Sequence, residues 1–286
     1  MTPSQNPIFR AAWWSSNVLL AAALLVLAYA GVWEFSVRRY LDGFSDAIVP
    51  NFVPAQERVE AILGWMRAGS ARGTTENPEN LATRDPETTL NYQQLLKVCG
   101  TATNAFLNLA RASDLQVRRL LLLTPDRRAK HVVAEVWIEQ RWIVVDPSYR
   151  VVMKDAHGRW LTRKDLQDPA IFEQAASAIP NYPRQYNYER FGHVRLARLP
   201  LEGLHLRKLL DVVFPAWEDA VDWSLLLERE SFFYLLIASV AAILFLFLRQ
   251  AFGWYADYRL RIPRFRLRDH MARAAMAFFS TPEMKE

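Results

Sequence analysis

Two stretches of this chain carry no charge, and the region between them mixes apolar and polar positions as a folded, water-facing domain does. The first runs between Arg10 and Glu34 and reads WWSSNVLLAAALLVLAYAGVW at its centre. At 1.5 Å rise per residue it is long enough to cross a hydrocarbon core of about 30 Å. Trp13, Trp14 and Trp33 stand at its ends, where interfacial aromatics belong. The second, SFFYLLIASVAAILFLFL, runs from Ser231 to Leu248 and is closed by Arg249. Neither run has a polar face, so neither reads as a core helix of a soluble protein. The alternative for the first run is a cleaved signal peptide, because Ala28-Tyr29-Ala30 has the form of a cleavage site. A single basic residue ahead of it and its length favour a retained anchor.

The middle region opens with Pro50 and Pro54, then a helix over PAQERVEAILGWMRAGS. Val59, Ile62, Leu63 and Met66 fall at i, i+3, i+4 and i+7, one apolar face. GSARGTTENPENLATRDPETT is loop-like by its Gly, Pro, Thr and Asn. A helix is expected from Cys99 to Ala112, and LQVRRLLLL reads as a strand. HVVAEVWI and RWIVVD are the clearest strands, and Glu139-Gln140 between them predicts an antiparallel hairpin. His157-Gly158 marks a turn, residues 161–180 look helical, and Pro180 and Pro183 end that stretch. Residues 204–214 and 216–228 have the pattern of short amphipathic helices leading to the second span. With no boundary visible inside 50–225, the middle is one α+β domain, a helix carrying the cysteine packed on an antiparallel sheet.

Composition narrows the class. A chain of 286 residues that is 51% hydrophobic and 13% aromatic is too apolar for disorder. One cysteine excludes a disulfide framework and any multi-cysteine zinc or iron–sulfur site. The net charge of +5 does not lie on the middle domain, because residues 34–230 hold 26 basic and 26 acidic residues. The excess sits in the flanks, so it is a topology signal rather than a nucleic-acid footprint. Arg249, Arg259, Arg261, Arg264, Arg266, Arg268 and Arg273 follow the second span against Asp257 and Asp269, which puts this tail in the cytoplasm.

The expected organisation is therefore a cytoplasmic N-terminus (1–12), a first span (13–33), an outward domain (34–230, core about 55–150), a second span (231–248) and a basic cytoplasmic tail (249–286). In a bacterium the domain would face the periplasm from the inner (plasma) membrane. The tail mixes Arg with aromatics and suits the anionic inner leaflet.

The candidate chemistry centres on Cys99. A cysteine at a helix start favours the thiolate, because the helix dipole and the amide N–H groups there stabilise negative charge. His131 opens one strand of the hairpin and Asp146 closes the other. A thiol nucleophile, an imidazole base and a carboxylate that orients it are the parts needed for acyl transfer through a thioester. The register is an obstacle: a tight turn at Glu139-Gln140-Arg141 puts Asp146 opposite Ala134 rather than His131, and twist or a bulge must close the gap. The Cys99 backbone N–H is the first oxyanion donor candidate, with the side-chain amides of Gln93 and Gln94 behind it. His157, His193, His205 and His270 have no partner at useful spacing. There is no P-loop, no G-x-G-x-x-G and no H-E-x-x-H, and His131 and Glu135 on one strand lie too far apart for one metal. The aromatic and basic stretch with Tyr182, Arg184, Tyr186, Tyr188 and Arg190 reads either as a polymer-binding surface or as a loop pinned by its tyrosines.

The strings KVCGTATNAFLNLARASDLQVRRLLLL and HVVAEVWIEQRWIVVDPSYR resemble the transglutaminase-like superfamily. Its members place a Cys at a helix start, a strand, a His strand, and a strand ending in W-x-x-x-D-P. The resemblance covers about 55–150 and assigns nucleophile, base and orienting carboxylate to Cys99, His131 and Asp146, with Trp142 and Pro147 flanking the aspartate. Lys97 stands where the family often has Gly, and Val133 where it often has an aromatic. The resemblance implies a papain-like fold and either amide hydrolysis or transamidation of a protein or peptide, or of an envelope polymer. It needs no cofactor or metal, although some relatives use calcium. A module of this fold that has lost its chemistry and holds an envelope or polysaccharide assembly together is the alternative. The bilayer itself is the other expected partner.

Overall fold

The computed structural model describes residues 7–68, 86–91, 98–126, 128–193, 206–215, 229–259, 271–272 and 275–276. The chain divides into two compact units, residues 1–29 with 236–286, and residues 30–235.

Helix α1 runs Pro7–Ile48 and helix α8 runs Glu230–Tyr258; both are long and apolar enough to cross a membrane. Within the first unit the two helices run antiparallel. Phe9 lies 6.5 Å from Tyr255 between ring centroids, and Arg249 Nε donates to Asn17 Oδ1 at 2.8 Å. Asn17 and Ser16 in turn donate to the Trp13 carbonyl, so these two side chains are satisfied within the helix, as an apolar solvent would demand.

α1 is longer than the expected span. It continues past Trp33, and Val37, Leu41, Phe44 and Ile48 return at helical spacing to pack into the core of the second unit. The helix stops ahead of Pro50, which the residue before it cannot enter in helical geometry.

The second unit is built on a five-stranded antiparallel sheet: β1 (Val117–Leu123), β2 (Ala129–Ile138), β3 (Arg141–Asp146), β4 (Val151–Val152) and β5 (Phe191–Gly192), in the order β4-β3-β2-β1-β5. Period-two alternation splits its side chains between two cores. On one face Ala134, Val136, Ile138, Ile143 and Val145 meet Val59, Ile62, Leu63 and Met66 of α2 (Ala55–Ala68), Leu90 of α3 (Pro86–Asn91), and α4 (Cys99–Ala112). On the other, Leu120, Leu122, Val133 and Val144 meet Leu166 of α5 (Arg163–Leu166), Phe172 of α6 (Pro169–Ser177), Tyr182 and Tyr188. β1 is covered on both faces, so it is leucine-rich instead of alternating.

The stretch 161–180 forms the two short helices α5 and α6, with Thr162 and Asp168 capping them. α7 (Leu206–Val213) falls where an amphipathic helix is expected, while residues 216–228 lie outside the described residues.

The β2–β3 turn corrects the expected register. Ile138 pairs with Arg141, and Glu139 and Gln140 form a two-residue turn, both with positive φ (48° and 62°). This is the geometry of a type I′ hairpin, whose twist matches that of the strands. Val145, not Asp146, lies opposite Ala134. Continued by one residue, this register sets Asp146 across from Val133, two positions from His131 on the same face.

Candidate active site

His131 and Asp146 meet across that diagonal. The imidazole Nε2 and Asp146 Oδ2 are 2.7 Å apart, and both side chains are fully buried. Same-face diagonal neighbours on paired strands lie roughly 7–8 Å apart at the backbone, a gap two such side chains bridge. β2 carries a register shift beside His131: Leu122 pairs with His131 but Leu123 pairs with Ala129. A bulge of this kind turns the strand locally and re-aims the side chains next to it.

Asp146 closes β3 because Pro147 has no N–H to extend the ladder. The chain turns there, and the carboxylate collects donors from the turn. Oδ1 accepts from the Ser148 N–H (3.1 Å), the Ser148 hydroxyl (2.8 Å) and the Tyr149 N–H (3.2 Å). Oδ2 accepts from the Tyr182 hydroxyl at 3.0 Å as well as from His131. Burial works against the charged carboxylate, but the His131 charge and these hydrogen bonds outweigh it and hold Asp146 below the usual carboxylate range.

Burial likewise works against a charged imidazole at His131, yet Asp146 and Cys99 together push its pKa up to about 9. Nδ1, the nitrogen not used by Asp146, makes no hydrogen bond of ordinary geometry, and the Cys99 thiol lies within interacting range of the ring.

Cys99 is the first residue of α4, half-buried, and packs beside Leu121, Leu123 and Val132. Among the described residues no side chain caps the N-terminus of α4, and no acidic residue occupies its first turn. The positive end of the helix lies at Cys99.

Sequence reasoning missed the shell around the pair. Ser148 and Tyr149 follow Asp146 directly. Tyr182 and Tyr186 come from the aromatic stretch, which is a loop pinned by its tyrosines: Tyr182 and Tyr188 are buried in the second core. The signal was present in NYPRQYNYER, but no periodicity says which ring turns inward.

Of the remaining candidates, the two described histidines do not join the site. His157 is exposed. His193 is buried, with Nδ1 2.6 Å from the Arg119 carbonyl oxygen, and lies near the buried Arg118–Glu135 pair. Gln93, Gln94, His205 and His270 lie outside the described residues. Among the described residues no three His, Cys, Asp or Glu side chains come together as a metal site.

No curated protein and no solved structure matches the chain. Residues 43–147, from the domain end of α1 to Pro147, match the family model described as the transglutaminase-like superfamily. That stretch holds α2, the cysteine helix and the β1–β3 sheet with His131 and Asp146, and ends before the tyrosine loop. The chain thus carries, between two apolar helices, a transglutaminase-like superfamily domain of mixed helix and antiparallel sheet.

Proposed function

We propose that this is a membrane-anchored, thiol-dependent acyl-transfer enzyme that cleaves or exchanges an amide bond of a protein, peptide or envelope polymer outside the cytoplasm. The observation that carries the reading is the buried His131–Asp146 pair, bonded through Nε2, with the Cys99 thiol interacting with the same imidazole.

In this mechanism His131 and Cys99 share one proton. Transfer to the imidazole leaves a thiolate at the start of α4, beside an imidazolium held by Asp146. The sulfur attacks the amide carbonyl carbon, forming a C–S bond and an oxyanion that takes the Cys99 backbone N–H as its donor in this reading. His131 then returns the proton to the leaving nitrogen, the C–N bond breaks, and a thioester remains. Water or an amine attacks the thioester with His131 taking its proton, which restores the thiol and releases an acid or a new amide. Asp146 fixes the tautomer throughout and is not consumed.

Support for the membrane placement is the pair of long apolar helices and the arginine-rich tail after α8. The test is covalent. Full-length protein in detergent is incubated with a pool of amide-bearing peptides and quenched in acid, and intact mass is read. A thioester adduct on the wild type, absent from Cys99→Ala, is expected. Turnover in Cys99→Ala should fall by about 10³-fold or more. A folded wild type that forms no adduct, and whose cysteine alkylates with the pH profile of an ordinary thiol, would instead favour a non-catalytic scaffold.

A further inference from the structure

We infer that Tyr186, outside the stretch that matches the family, is a positioning residue that fixes the orientation of the His131 imidazole toward Asp146 and Cys99. The inference rests on the thiol-enzyme reading above and adds a residue to it. The two rings lie face to face, with centroids 4.0 Å apart and 1° between their planes.

The loop that brings Tyr186 there is fixed at both ends. The Tyr186 N–H donates to the Pro183 carbonyl at 3.0 Å, and Tyr182, four residues earlier, donates to Asp146. Lys130, next to His131, donates to Asn187 at 2.6 Å. Downstream, Phe191 and Gly192 pair with β1. The loop cannot shift without breaking contacts to both members of the pair.

The stack supplies what the Nε2–Asp146 bond lacks. One hydrogen bond fixes where a ring nitrogen sits but lets the ring rock about that contact. A face-to-face partner removes the rocking and so keeps Nδ1 aimed at one point. The negative face of the phenol ring also attracts the imidazolium, the charged state an ion pair needs. Among the described residues, the titratable groups around His131 are Asp146 from β3, Cys99 from α4, Tyr149 from the turn after β3, and Tyr186. Tyr182 and Tyr188 lie behind Asp146.

The test uses the single cysteine as its own reporter. The rate of Cys99 alkylation by iodoacetamide is followed from pH 4 to 10 in the full chain in detergent. Cys99→Ala serves as the blank, and circular dichroism checks folding. Wild type should show an acidic plateau of reactivity, the mark of a thiolate–imidazolium pair. Tyr186→Leu should lose about tenfold in rate at pH 6–7 and shift its upper limb to lower pH. Tyr186→Phe, which keeps the ring, should return to within about twofold of wild type. Should Tyr186→Leu not fold, Tyr186→Met puts the same question with a similar volume. A folded ring-less variant with the wild-type profile overturns the positioning role, as does a Phe variant that falls as far as Leu. A wild type without the acidic plateau overturns the ion pair itself, and with it the enzyme reading.

Discussion

Asp146 shows how much one residue can organise. It is buried completely, yet five donors converge on its two oxygens, three from the turn that Pro147 forces and two from His131 and Tyr182. Such a carboxylate stays ionised and holds a neighbouring imidazole protonated. The consequence for stability has a sign on each side. The pKa of His131 is raised from 6.5 to about 9, so its contribution is fully present below pH 6.5 and is lost as pH rises through about 9. That of Asp146 is lowered, so its contribution is present above pH 3.8 and is lost as pH falls through the lowered value. Unfolding followed from pH 3 to 10 should therefore show greatest stability from this pair between about pH 4 and 6.5. A fall of up to about 3 kcal/mol toward pH 9.5 is expected. Asp146→Asn should flatten the alkaline part of that fall and lower turnover by about 10²–10⁴-fold through loss of the correct tautomer. An alkaline limb that persists unchanged in Asp146→Asn would assign it to another group.

At the scale of elements, the β2–β3 hairpin decides whether His131 and Asp146 can meet. Its turn puts Glu139 and Gln140 in the left-handed region, which costs roughly 1–2 kcal/mol for each non-glycine residue. The exposed contacts of Glu139 with Gln56 and Arg141 return little of this. Replacing the pair with Asn-Gly should raise the thermal midpoint by a few degrees, about 1 kcal/mol, with turnover unchanged; a lower midpoint would show that the turn carries no such strain.

The middle of α1 and the start of α8 are joined by a buried charge cluster. Glu34, 3% exposed, accepts from Arg38 Nε (2.7 Å), Arg229 Nη1 (3.0 Å) and the Ser231 hydroxyl (2.8 Å). Trp33 and Tyr234 stack one position away. Glu34→Ala removes the carboxylate that faces the buried Arg229 and should cost about 3–5 kcal/mol of thermal stability in detergent. Glu34→Ala with Arg229→Leu should cost less than the two single changes added together; strict additivity would show that the pair does not interact.

At the scale of the whole molecule, two apolar helices flank a domain with no net charge, and the positive excess lies mainly beyond α8. Under the proposed orientation, a cysteine at exposed His157 in a Cys99→Ala background should react with a membrane-impermeant maleimide on cells whose outer layer alone is opened. A cysteine at Ser280 should react only after the inner membrane is dissolved. The reverse pattern would turn the protein over and place the chemistry in the cytoplasm.

What could be read along the chain was what depends on local order. The apolar runs, the 3.6-residue face of α2, the alternation of β2 and β3, and the Cys, His and Asp strings all express contacts between near neighbours or a period of one element. Three features depended on tertiary structure because they join positions with no fixed spacing. The continuation of α1 through Val37 and Leu41 became evident only when a second surface received it. The register of Asp146 turned on two non-glycine residues adopting positive φ, which composition alone does not announce. The tyrosine shell could not be assigned from NYPRQYNYER, since a loop without periodicity faces wherever its ends are tied. Those ties lie at Asp146, Lys130 and β1, all distant along the chain, and they alone brought Tyr186 over the imidazole.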